Sequence, residues 1–239
     1  MSSLKTTARI GGILYLIIIV AGIFGETVVR GKLIVSGDAT ATATNIINSE
    51  LLWRIGIAGD FIMHVCDIPL MLILYILLKP VNKNLALLFV LFNAMQSAVL
   101  ISNKLSLLQS LFLLSSADYL KAFDPAQLHA LSYLAVKSHG YGFGVGLIFF
   151  GFECLIIGYL IFRSGYFPKA LGVMMPIAGI CYLVNSFSLI LAPAVAGALF
   201  PIILIPAFIA ELSLCLWLLI KGVNVPVWER VSALQRSVP

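Results

Sequence analysis

The stretch IGIAGDFIMHVCDIPLMLILYILL, residues 55–78, decides the fold. A helix needs about 20 apolar residues to cross the hydrocarbon core of a bilayer, and this stretch supplies them. It also carries Asp60, His64 and Asp67, and each ionisable group at membrane depth costs roughly 2.5 to 3.5 kcal/mol on insertion scales. With a helix advancing about 100° per residue, these positions at i, i+4 and i+7 fall within about 60° of arc, one stripe that must face protein or water. Pro69 removes the amide that would bond the Val65 carbonyl, which predicts a kink and a free backbone acceptor beside His64 and Asp67.

Working outward, similar apolar runs occupy approximately 10–25, 85–114, 140–162, 170–191 and 201–220. The chain is 61% hydrophobic and only 10% charged, where a soluble domain carries about 25% charged residues. Its mean hydropathy is +1.08. These values exclude a soluble domain and predict an all-α membrane protein. The expected architecture is a six-transmembrane-helix bundle, one transmembrane domain over 1–239. Lys5 and Arg9 ahead of the first apolar run imitate a signal peptide, but residues 21–25 offer no A-x-A cleavage pattern, so the run is read as the first helix.

Orientation follows from the basic residues. Lys5, Arg9, Lys79, Lys83, Arg163, Lys169, Lys221, Arg230 and Arg236 make nine on the side of the termini. Arg30, Lys32, Arg54, Lys121 and Lys137 make at most five on the other. The positive-inside bias therefore predicts cytoplasmic N- and C-termini, in a cytoplasmic (inner) membrane. The net charge of +5 fits the lipid bilayer as partner, and there is no nucleic-acid motif. Connections 26–54 and 115–139 are the long ones, both outer and partly helical, with N-caps expected at Asp38 and Ser49 and a first-turn proline at Pro125. The alternating Ala-Thr stretch 39–44 reads as helix surface, and Trp53 and Trp228 read as interfacial aromatics. Cys66, Cys154, Cys181 and Cys215 lie in apolar runs with no CxxC spacing and read as buried hydrophobes.

The punctuating segments carry a resemblance. They are Ala8-Arg9-Ile10-Gly11-Gly12 into Tyr15, Asp67-Ile68-Pro69, Lys79-Pro80-Val81-Asn82, His139-Gly140-Tyr141-Gly142, Gly165 to Lys169 with Leu171-Gly172, and Glu211-Leu212 with Leu216-Trp217. Together the chain resembles, from about Arg9 to Val225, a bacterial family of six-helix membrane proteins known only as a domain of unknown function. That resemblance implies the six-crossing architecture and no activity. Its pattern often carries Arg near the position of Asn93 and His near that of Glu153, and this chain departs from it at both.

Further polar stripes follow from helical spacing. The third crossing presents Asn93, Gln96, Ser97 and Lys104, and the fourth presents His139, Gly142, Gly146 and Glu153. Depth arithmetic at about 1.5 Å per residue puts Asp60, His64, Lys104, His139 and Asn185 in the outer half, with Asp67, Gln96 and Glu211 nearer the midplane. Lys104 and Asp60, opposite in charge at similar depth, are candidates for a structural ion pair. His129 is expected in the outer loop.

The leading functional expectation is binding or transport of a small molecule or ion through an outward-opening polar chamber. Asp67 and Glu211 would exchange protons, Asp60, His64, Lys104 and His139 would line the entry, and Gln96 and Glu153 would be further candidates. One alternative is an intramembrane metal-dependent hydrolase ligating through His64, His139 and Asp67 or Asp60. Another is a haem-binding redox protein with His64 and His139 as axial ligands. The last is a non-catalytic assembly or stress-response partner, oligomeric or not. No P-loop, GxGxxG, GxSxG or Ser-x-x-Lys motif occurs in a suitable context, which argues against ATP-driven and nicotinamide chemistry.

Overall fold

The structure, a computed structural model, describes residues 2–236. Met1 and residues 237–239, the ends of the expected 1–239 domain, lie outside the described residues. Among those described there is no strand. Six helical segments are long and apolar enough to cross a membrane: Leu4–Leu33, Glu50–Leu78, Lys83–Leu113, Pro125–Ser164, Lys169–Leu191 and Ile202–Ile220.

In chain order, α1 (Ser2–Ile23) runs without a break into a π-helical segment, Phe24–Arg30, and the single turn α2 (Gly31–Leu33). The short α3 (Ala39–Asn48) precedes α4 (Glu50–Leu78) and α5 (Lys83–Leu113), and α6 (Pro125–Ser164) follows. Then come α7 (Lys169–Leu191), the short α8 (Pro193–Leu199), α9 (Ile205–Ile220) and α10 (Val225–Arg236). Local chemistry explains the starts. Asp38 accepts from the Ala41 amide at 2.8 Å and caps α3. Asn82 accepts from the Leu85 amide at 3.0 Å and opens α5. Before α6, Pro125 occupies the first helical position while the Gln127 side chain accepts the Asp124 amide at 3.0 Å, a reciprocal cap.

The first crossing is longer than the apolar run suggested. Residues 26–30, expected in a connection, belong to the π-helical segment, so Arg30 is no flanking cation but a buried residue inside a span. Ser49 sits between α3 and α4 as the C-cap of α3. Thr42 and Ala43 are buried rather than helix surface, and His129 lies within α6. Cys154 and Cys215 are buried as expected, whereas Cys66 and Cys181 are only partly so. At 40 residues α6 is far longer than a bilayer requires, and much of the expected outer connection 115–139 is its first part.

Contacts group the chain into two compact units. One, Ile18–Val65 with Val99–Phe143, is the Trp53 unit; the other, Met1–Ile17 with Cys66–Ala98 and Gly144–Pro239, is the Glu211 unit. The Trp53 unit has an apolar core of Val29, Leu33, Ile46, Trp53, Ile57, Leu107, Leu111 and Val136. Trp53 is 1% exposed and donates its indole N–H to the Leu107 carbonyl at 3.2 Å. It is therefore a core anchor and not the interfacial aromatic its position suggested, since burying so large a ring favours packing once a polar partner is available. In the Glu211 unit, α7 packs on α9. There Trp228 and Tyr166 both donate to the Leu77 carbonyl, at 3.0 and 2.7 Å. Leu77 lies one residue from the end of α4, where helix carbonyls lose their intrahelical partners, and the two rings supply replacements. Burial pushes the Tyr166 phenol above its usual range, keeping it a donor.

Candidate functional site

Within the Trp53 unit the chemistry gathers on Asp60 of α4, which is fully buried. Arg30 donates to it from Nη1 at 2.8 Å and Lys104 of α5 approaches at 3.1 Å. Arg30 also holds Glu26, one turn earlier and solvent-facing, at 2.8 Å. Lys104 meets His139 of α6 with Nζ to Nε2 at 3.3 Å. An ammonium can only donate, so Nε2 of His139 accepts and its ring is neutral with the proton on Nδ1. Lys104 also stands 5.9 Å from the centre of the Phe143 ring. His64 is buried, and its Nε2 has no partner among the described residues. The backbone makes room for this network at Gly25, where a Cβ would lie 2.8 Å from Asp60 Oδ1 and 2.9 Å from an Arg30 nitrogen. The side chain of Asn103, donating to the His139 carbonyl at 2.8 Å, fills the space a Cβ on Gly142 would need.

The Glu211 unit is built differently. Asp67 accepts from Asn93 Nδ2 and Ser97 Oγ, each at 2.9 Å. Asn93 also reaches Gln96 Oε1 at 3.4 Å. Glu211 of α9 accepts from the Tyr15 hydroxyl at 3.2 Å and from the Tyr182 hydroxyl of α7. Glu153 of α6 is 0% exposed, and neither of its carboxyl oxygens has a hydrogen-bond partner among the described residues. The Asn93 side chain lies near Glu153 but makes no hydrogen bond to it within ordinary distance and angle limits. Every donor that reaches these three carboxyls is neutral. The buried cations among the described residues are Arg30 and Lys104, both of the Trp53 unit.

The stripe Asp60, His64 and Asp67 is thus buried throughout but serves two environments, a cationic one around Asp60 and a neutral one around Asp67. Sequence spacing missed Arg30, because its helical turn is irregular, although the i,i+4 pair Glu26 and Arg30 signals that the helix continues. It also missed Tyr15 and Tyr182, whose phenols carry no charge to set them apart in apolar spans. Among the described residues there is no group of three or more His, Cys, Asp or Glu side chains that could hold a metal ion.

Six apolar spans and polar groups sealed between them define a multi-pass integral membrane protein. The chain belongs to the family described as a domain of unknown function, DUF4386, whose sequence profile matches residues 10–222. It is also 28% identical over 166 residues to an uncharacterized protein of Archaeoglobus fulgidus, covering 70% of this chain and 83% of that one. No solved structure matches it.

Proposed function

We propose that the protein binds and exchanges protons at Asp67, Glu153 and Glu211, coupled to binding or transport of a small molecule or cation, with the termini cytoplasmic. The observation that carries this is Glu153, a fully buried carboxyl with both oxygens unpartnered among the described residues, in a unit whose described residues include no buried cation. An isolated ionised carboxylate in such surroundings is too costly to persist, so the group takes a proton or receives a cation. Asp67 and Glu211, held only by neutral donors, are suited to exchange with it. Asp60 plays another part, because two cations already neutralise it. With Arg30, Lys104 and His139 it fixes helix packing, while His64, with its free ring nitrogen, and Gln96 remain candidate polar contacts for a solute.

The test is infrared titration of the protein in nanodiscs beside proton-flux measurements in proteoliposomes. The wild type should show a protonated-carboxyl band that Glu153→Gln removes, together with pH-driven flux that the same variant abolishes at normal abundance. A wild type with no such band, and flux equal to that of empty liposomes, would overturn the reading.

A further inference from the structure

A second polar feature lies in the Glu211 unit where α9 hands over to α10, and the carboxyls play no part in it. A cavity of about 370 Å³ is lined by Lys5, Tyr166, Trp217, Lys221, Asn224 and Pro226, among others. This falls within the range of about 300 to 1,000 Å³ typical of small-ligand sites. Its construction follows from how α9 ends. Gly222, at φ +68°, lets the amides of Lys221 and Gly222 both return to the Trp217 carbonyl, at 2.9 and 2.8 Å. That tight turn leaves the Lys221 side chain at the cavity edge, and the Asn224 amide then ties the strap to the Tyr166 carbonyl at 3.3 Å.

The two lysines at this cavity, Lys5 and Lys221, are exposed and have no acidic partner among the described residues. The N-terminus of the 12-residue α10 adds positive potential on the same strap. Two ammonium groups and a helix N-terminus share one complement, a compact anion with several acceptor oxygens.

We infer that this cavity binds a phosphoryl group, and that its source is the headgroup of an anionic phospholipid. The lipid source follows from position, since the cavity spans the ends of two membrane-crossing segments, near residue 5 of the first and residue 221 of the last. Basic pockets at such ends meet headgroups directly.

Native mass spectrometry of the full chain in detergent, titrated with phosphatidylglycerol, phosphatidylcholine or inorganic phosphate, tests this. Phosphatidylglycerol should bind in preference to phosphatidylcholine, and Lys5→Gln/Lys221→Gln should weaken it by about fivefold per lysine. The control Lys32→Gln/Lys83→Gln, with the same loss of charge elsewhere, should leave binding unchanged. Binding of inorganic phosphate that the Lys5/Lys221 variant abolishes, without any preference for phosphatidylglycerol, would keep the phosphoryl site and reassign it to a soluble ligand. Equal binding of every probe by the wild type and the Lys5/Lys221 variant would overturn the site altogether.

Discussion

Gly25 and Asp60 are in such close register that a single added methyl on the glycine would lie 2.8 Å from the carboxylate oxygen. The same methyl would also press on the Arg30 guanidinium that holds Asp60. Gly25→Ala should therefore part an ion pair rather than merely crowd a helix. The expected loss is about 1 to 3 kcal/mol, the usual scale for overpacking, read as a lower thermal midpoint in detergent. A midpoint equal to the wild type would show that the pair has room to move.

The Arg30, Asp60 and Lys104 network makes an ordering prediction. Arg30→Gln leaves Asp60 with Lys104, whereas Asp60→Asn strands two buried cations. Breaking a buried pair by removing one partner costs about 3 to 5 kcal/mol. Asp60→Asn should stand at that level and Arg30→Gln clearly below it in denaturation of the purified protein. The reverse order would mean that Lys104 contributes nothing to holding Asp60.

At Glu211, Tyr15→Phe and Tyr182→Phe each delete one donor. Each should cost about 1 kcal/mol. The double variant should cost more than the sum, because the first deletion leaves one donor in place and the second leaves none. Strict additivity in a double-mutant cycle would argue against a shared carboxyl.

The Leu77 carbonyl offers a comparison with no charge involved. Tyr166→Phe or Trp228→Phe alone leaves it one donor, so each should be mild, while the pair orphans it at about 1 to 3 kcal/mol. Tyr166 also has a pH signature. Its phenol is raised above the usual range by burial, so the stability it contributes is present below the unfolded phenol's value near about 10 and is lost as pH rises beyond it. Alkaline unfolding curves should therefore fall less steeply for Tyr166→Phe than for the wild type.

Much of the fold follows from a few rules of spacing and solvation. The apolar run 55–78 implied a crossing, and the stripe Asp60, His64 and Asp67 implied burial, because a helix repeats every 3.6 residues and lipid tolerates no charge. The pairing of Lys104 with Asp60 followed from opposite charges at equal depth, and its distance is 3.1 Å. What escaped was whatever departs from regular geometry or from charge. Arg30 reaches Asp60 from a π-helical stretch, residues 24–30, and an apolar count stops before it. Trp53 could have stood at the lipid boundary or in a core, and only the nearby Leu107 carbonyl decides between the two. The division of one stripe between a cationic and a neutral environment depends on partners far away in sequence, such as Tyr182 and Arg30.

The π-helical segment has a consequence for the length of the chain. A π turn holds about one residue more than an α turn of the same sweep, so the segment works as an insertion that the helix has absorbed without a loop. Relatives shorter by one residue between Ile23 and Arg30 could run as plain α-helix and still present an arginine to the same carboxylate. Comparisons across the family at this point should therefore count from the arginine backward, because matching residues from the amino end would set the wrong side chains opposite one another.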